Sequence, residues 1–286
     1  MVAPFADAPS RRVVSADGTP IAVFTAGAGP DLVLVHGTTS DHRTWRVVGP
    51  GLAARHTVHA IDRRGRGASG DGPAYAIERE IEDVAVVVDA IAAGRPGSAG
   101  TVDLLGHSLG GRIGLAASLR SSHLRRVVAI ESAPAAEGAT PGRRGRDLLP
   151  RLRADLEADD LAGLLARFMT DAVGMSSREL ERFRADPVWP LRVAAAPTVV
   201  RELEAADGDR AVGRDALCRV RVPVLQLVGS TSPAWFRTDA EALDACLADG
   251  RVELIEGAGH GMHHSHAAEV LALVEAFLGG SRGANG

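Results

Sequence analysis

Val102-Asp103-Leu104-Leu105-Gly106-His107-Ser108-Leu109-Gly110-Gly111 is the stretch whose reading decides the fold. An apolar run leads straight into a serine flanked, two residues either side, by glycines 106 and 110. A helical pattern follows in Arg112-Ile113-Gly114-Leu115-Ala116-Ala117-Ser118-Leu119. A serine hydroxyl attacks poorly until a base takes its proton. It must also stand clear of its own backbone. A strand that turns sharply into a helix presents it in that way, provided the flanking residues are small. The spacing matches the G-x-S-x-G nucleophile elbow, which makes Ser108 the candidate nucleophile. In a chain with 33 glycines the bare pattern is weak. The strand before it and the helix after it give it weight.

Working outward, short β-rich runs alternate with helical patterns, which predicts an α/β fold with a mainly parallel sheet. Strands are expected at 12–15, 21–25, 32–35, 57–61, 101–105, 127–130, 222–228 and 252–255, the first two as a hairpin. Helices are expected at 44–54, 75–93 and 267–278. Glu78, Glu80, Glu82 and Asp83 fall in the first half of the long helix, where the helix dipole favours acidic residues. Between 135 and 219 the alternation stops and only helical patterns remain, at 148–158, 161–169 and 177–185. A Gly/Arg/Pro-rich bridge, Glu137–Arg146, leads into them. Such an insertion is expected to lie as a lid over the carboxyl edge, where open α/β sheets bind ligands. Segments 1–134 and 220–286 then form the core.

Composition narrows the function. The 286 residues are 45% hydrophobic but only 3% aromatic, so aliphatic side chains must fill the core. All 32 basic residues are arginine, which excludes Schiff-base chemistry on a lysine. A net charge of −4 gives no reason to expect nucleic acid or an anionic membrane as partner. No apolar stretch reaches membrane-spanning length and residues 1–10 carry no signal-peptide pattern. Cys218 and Cys246 are widely spaced and read as two free thiols in a reducing compartment. A cytoplasmic protein, monomer or homodimer, is the expectation. The Gly-rich tail from Gly279 is expected to fray.

The partners of Ser108 must come from other strand ends. His260 stands in Gly257-Ala258-Gly259-His260-Gly261, directly after a strand, with glycines that permit a tight turn. It is preferred as base over His263, His264 and His266, which fall at or inside the last helix. Those four histidines also resemble a metal-binding run, but no nearby cysteine or carboxylate cluster supports one. The oxyanion hole needs two backbone N–H groups. Leu109 supplies one, and Thr38, in Val35-His36-Gly37-Thr38-Thr39, supplies the other. Thr39, His107 and Trp235 are candidate substrate contacts, with Phe236 beside Trp235 as a further wall of the acyl pocket.

These pieces resemble the α/β-hydrolase fold superfamily over nearly the whole chain. The resemblance rests on His36-Gly37, Asp62-Arg63-Arg64-Gly65-Arg66-Gly67-Ala68-Ser69, the elbow and residues 257–261. It implies an eight-stranded sheet with a helical lid, a Ser–acid–His triad and no cofactor. It also implies that Asp62, Arg64 and Ser69 are scaffold. The chain departs from the pattern at the acid. Where the family usually places aspartate, after the strand that follows the lid, this chain has Ser232. Asp239 lies seven residues on, inside an expected helix. Glu131, directly after the apolar strand 127–130, is the preferred acid, because a charge there must be solvated or paired. The chain is similar in this to α/β-hydrolases that carry the acid at that strand, including a branch of the haloalkane dehalogenases whose nucleophile is Asp. Ser232 is left either to support Glu131 or His260 or to cap the helix near Pro233. The expected function is a serine hydrolase acting on a carboxylic ester, lactone or thioester of a small molecule. C–C bond hydrolysis, perhydrolysis or haloperoxidation, acyl transfer or cyclisation on the same triad, and a non-enzymatic ligand-binding homologue, are the alternatives.

Overall fold

A computed structural model of the chain describes residues 5–72, 74–94, 100–135, 143–206 and 210–280. One sheet organises it, with strands in the order β1-β2-β4-β3-β5-β6-β7-β8. These are Arg11–Val14, Pro20–Ala26, Asp31–Val35, Thr57–Ile61, Val102–His107, Leu124–Ile130, Val224–Gly229 and Gly250–Ile255 in chain order β1 to β8. The pairs β1–β2 and β2–β4 run antiparallel, and every neighbouring pair along β4-β3-β5-β6-β7-β8 runs parallel.

The central strands β3, β5 and β7 are buried at every position because both faces are covered. Along β3, Val33 and Val35 pack on one side with helix α2 (Ile77–Ala93) and α3 (Leu109–Ala117). Leu32 and Leu34 pack on the other, with Leu52 of α1 (Gly49–Ala53) and Val270, Val274 and Leu278 of the last helix. The helix expected at 44–54 is split. A 3₁₀ turn covers His42–Arg46 and α1 starts afresh at Gly49. Pro50 explains the break, since proline is accepted in a first helical turn and not in an interior.

Between β6 and β7 the described residues hold helices α4 (Arg143–Glu157), α5 (Leu161–Arg167), α6 (Ser177–Arg184), α7 (Trp189–Ala194), α8 (Pro197–Ala206) and α9 (Arg214–Leu217), and no strand. The bridge expected at 137–146 and the frayed tail fall largely outside the described residues. Helices α4 to α8 share a hydrophobic cluster of their own, around Leu152, Leu164, Ala196 and Val199. α9 packs instead with the main core through Leu217. The remaining helices are α10 (Ala234–Asp244), α11 (Met262–Ser265) and α12 (Ala267–Gly279). No helix among the described residues is long and apolar enough to cross a membrane.

Buried charge ties the insertion to the sheet. Asp62 closes the turn after β4, accepting from His42 N at 2.8 Å and Ala68 N at 2.8 Å. Ser69 donates to Asp62 O and accepts from Ala22 N, so both act as scaffold, as expected. Arg64 forms a two-pronged pair with Asp83, at 2.7 and 2.8 Å. Arg63 does the same with Glu80, at 3.0 and 2.6 Å. Two of the acidic residues at the start of α2 therefore face buried guanidinium groups, a partner that helix-dipole reasoning does not reveal. Arg63 also reaches Glu202 of α8 at 2.7 Å, and Arg66 pairs with the same carboxylate. Burial alone would raise the Glu202 pKa, but the fields of Arg63 and Arg66 hold it below the usual carboxylate value.

Cys218 and Cys246 form a disulfide. The expectation of two free thiols is thus corrected, and with it the support they gave to a reducing compartment. Spacing along the chain hid the pairing. Parallel strands β7 and β8 return the chain to the same end of the sheet, and the two residues stand 5.1 Å apart at Cα.

Two outcomes follow from this packing. Glu202→Leu should lower the unfolding free energy in urea by about 3–5 kcal/mol, because it strands buried arginine charge. Arg66→Met in the same chain should recover part of that loss; a purely additive double variant would contradict the pairing. The second concerns His36, whose Nδ1–H donates to Gly37 O at 2.9 Å while Nε2 accepts from Arg63 N at 3.0 Å. Burial, then the Arg63 charge, pushes its pKa well below 6.5. A depressed imidazole adds stability that is complete above its unfolded pKa, about 6.5, and is lost as pH falls toward its folded value. Urea unfolding from pH 7.5 to 5 should therefore show declining stability. In His36→Gln the slope below pH 6 should be shallower by about 1.4 kcal/mol per pH unit. An unchanged slope would show that His36 is not held neutral.

Candidate active site

Ser108 sits at the junction of β5 and α3 with φ 53° and ψ −128°, a backbone state that a side-chain-bearing residue rarely adopts. The strain is held by close packing on both sides. A Cβ on Gly106 would run into the backbone of Gly111, and one on Gly110 into the carbonyls of His36 and Val35. The glycines that flag the motif are thus needed because α3 crosses β5 and β3 at contact distance. Ser108 N donates to Ile130 O at 2.8 Å, which extends the ladder one residue past the strand.

The same device operates one strand over. Glu131 N donates to Leu227 O at 3.0 Å, and Glu131 also takes a positive φ, 45°. Its buried carboxylate is doubly engaged. Oε1 accepts from Gly229 N at 2.9 Å and Oε2 accepts from His260 Nδ1 at 2.7 Å. With Nδ1 donating, the lone pair of His260 lies on Nε2, the tautomer a general base needs. Asp239 lies inside α10, in the field of Arg112.

His260 is held from several sides. Phe236 stacks on its ring at 5.1 Å between centroids. His107 Nε2 donates to the His260 carbonyl at 3.0 Å. Burial holds His107 neutral, pushing its pKa well below 6.5. Thr231 and Ser230 fasten the histidine loop to the end of β7: Thr231 Oγ1 donates to Ala258 O at 2.7 Å and Ser230 Oγ accepts from Gly257 N at 2.8 Å. Sequence reasoning missed both, although Ser230 and Thr231 follow a strand end where such pinning is needed.

A cavity of about 390 Å³ joins these groups, within the range of small-ligand sites. Ser108, His260, Thr38 and His107 all line it. No hydrogen bond joins Ser108 Oγ to His260 among the described residues, and contacts of this kind tighten when substrate fills the site. The amides of Thr38 and Leu109 donate to no protein group among the described residues. Leu109 opens α3, whose positive dipole end faces the same space.

Other expected contacts fall elsewhere. Thr39 is buried at φ 60° and borders a separate cavity of about 210 Å³ with Gly65 and Arg66. Trp235 packs at a tilt against Phe236, at 5.8 Å between centroids, and the cavity wall there is Thr231-Ser232-Pro233 instead. Neither reading of Ser232 survives: Pro233 occupies the cap position with no side-chain cap, and Ser232 Oγ is buried without a partner among the described residues. Among those residues, Asp41, His42 and Asp62 form the group with metal-ligand spacing, but Asp41 already holds Arg43 and Asp62 closes its turn. The histidines at 263 and 264 instead contact Thr44 Oγ1, at 3.2 and 3.4 Å.

Comparison with known proteins identifies the family. Residues 32–273 match the alpha/beta hydrolase family. The chain is 30% identical, over 90% of its length and 96% of the relative, to the pimeloyl-[acyl-carrier protein] methyl ester esterase of Edwardsiella ictaluri. It is 28% identical to the Aeromonas hydrophila protein of that name, over 91% of this chain and 99% of the relative. An alpha/beta hydrolase from Sphaerobacter thermophilus superposes with a TM-score of 0.76 at 32% identity, covering 91% of this chain and 99% of that one. The chain belongs to the alpha/beta hydrolase family.

Proposed function

We propose that the protein is a serine hydrolase that cleaves a carboxylic ester, lactone or thioester through an acyl-enzyme. The observation that carries this reading is the Glu131–His260 pair at 2.7 Å, which leaves His260 Nε2 unprotonated in the cavity that Ser108 enters from its strained turn. Esterase relatives whose name specifies a methyl ester support an ester as the bond attacked.

In this mechanism His260 Nε2 takes the proton of Ser108 as Oγ attacks the carbonyl carbon. The amides of Thr38 and Leu109 receive the developing oxyanion. Glu131 fixes the imidazole tautomer and stabilises the imidazolium. His260 then gives its proton to the leaving oxygen or sulfur, and the acyl group stays on Ser108. Water, deprotonated by the same nitrogen, releases the acid and regenerates the serine. The role of the acid falls to Glu131, because its carboxylate reaches from the end of β6 to the place where an acid on β7 would act. Segment 135–219 serves as the lid, since ion pairs from its helices, such as Arg201–Asp71 at 2.6 Å and Arg46–Asp186 at 3.0 Å, land on loops at the carboxyl edge.

A fluorophosphonate should label the folded protein once, at Ser108, and Ser108→Ala should abolish both labelling and steady turnover of p-nitrophenyl butyrate. Mass-spectrometric mapping of the adduct to any other residue would remove Ser108 from the mechanism. Glu131→Gln should lower kcat by about 10³ or more, by analogy with neutralising a triad acid. Asp239→Asn should cost far less; the opposite order in steady-state assays would transfer the acid role to Asp239.

A further inference from the structure

One wall of the cavity carries positive charge that the proposed chemistry does not use. Arg192 of α7 lines the cavity together with Ser108. Its guanidinium donates to Ser40 Oγ and, at 3.2 Å, to Thr44 Oγ1. Among the described residues no carboxylate lies within ion-pair distance of it. The acidic groups whose fields reach it, Asp41 and Asp186, are held by other arginines: Asp41 by Arg43, and Asp186 by Arg46 at 3.0 Å. Arg46 lines the same cavity, and its Nη1 is buried with no hydrogen-bond partner among the described residues.

Glu179 and Asp186 also line the cavity, but the Glu179 carboxylate accepts from Ser176 N and Oγ at 2.8 and 2.6 Å and Asp186 is paired with Arg46. Thr44 Oγ1 touches the Nε2 atoms of His263 and His264. Burial, with Arg46 and Arg192 next in effect, pushes the His264 pKa down to about 4, so that ring is neutral at physiological pH. Burial pulls the Arg192 pKa down to about 10, which still leaves it charged. The helical insertion also gives the cavity an apolar stretch, with Phe168, Met169, Val173 and Phe183, beside Arg182. A partly buried guanidinium with only hydroxyl partners is poorly compensated, and a planar two-oxygen anion is what its fork matches.

We propose that Arg192, with Arg46 Nη1 beside it, is a subsite for a carboxylate carried by the substrate. The substrate class is therefore an ester, lactone or thioester that bears a free carboxylate at one end of an apolar chain. The apolar stretch holds that chain, and the carboxylate sets which end points away from Ser108. This assignment rests on the serine-hydrolase reading above.

The test compares p-nitrophenyl hydrogen glutarate with p-nitrophenyl valerate, esters of similar acyl length with and without the terminal carboxylate. Wild-type protein should favour the anionic ester by about ten- to a hundredfold in kcat/KM, chiefly through KM. Within Arg192→Met the ratio of the two should fall to about one or below, whatever the variant's absolute rate. Arg192→Lys should keep part of the preference, because a point charge replaces the fork. Free glutarate should inhibit hydrolysis of the neutral ester competitively, and pentanol should not. A wild-type preference for the valerate, or a ratio unchanged in Arg192→Met, would overturn the subsite while leaving the hydrolase intact. If neither ester turns over, the hydrolase reading fails by itself. Calorimetric titration of glutarate into wild-type and Arg46→Met protein then decides the subsite: weakened binding in the variant supports it, and no binding to wild type overturns it.

Discussion

Two backbone hydrogen bonds just past the strand ends, Ser108 N to Ile130 O and Glu131 N to Leu227 O, keep the whole site in register. Parallel strands end at nearly the same height, so the first residues beyond β5, β6 and β7 stand side by side. Each bond carries the ladder one step further and fixes a residue that has already turned to positive φ. Serine, glutamate and the Gly229 amide then form a row whose spacing is that of neighbouring strands. The imidazole needs only to be lowered onto this row from the loop after β8. A slip of one residue in any pairing would turn these side chains to the wrong face.

The residues that were legible in the sequence are those whose chemistry is local. Glycine at 106 and 110, an apolar run before them and a helix after them specify the elbow without knowledge of distant contacts. Glu131 was readable because a carboxylate directly after a buried strand demands a partner. Position 232 was not. A serine there satisfies every local rule for a helix cap, yet the cap falls to Pro233. The broken helix at 42–53 shows the same limit, since Pro50 fits a first turn as well as it interrupts an interior. Arg192 was invisible for a different reason. Its significance lies in the absence of a carboxylate within ion-pair distance among the described residues, which only three-dimensional placement reveals. The pairing of Cys218 with Cys246 likewise depends on two strands returning to one edge.

An all-arginine cationic complement suits this architecture. A guanidinium can meet two carboxylates at once in fixed directions, as Arg63 does between Glu80 and Glu202. Replacing one with lysine would offer a point charge where a fork is required. The arginines of the turn after β4 therefore act as rivets that join α2, the sheet and the helices above it.

The disulfide between Cys218 and Cys246 spans 28 residues and encloses all of β7 and α10. Closing a loop of that size in the unfolded chain removes conformational entropy worth about 3.5 kcal/mol at 25 °C in the chain-entropy model. That is a sizeable part of the net stability of an ordinary domain. The strand it encloses supplies Gly229, which orients Glu131, and Ser230 and Thr231, which pin the histidine loop. The chain's resistance to unfolding is therefore partly set by the thiol–disulfide balance of its surroundings, and reductant acts on this site as a denaturant would, by enlarging the ensemble into which β7 can be lost.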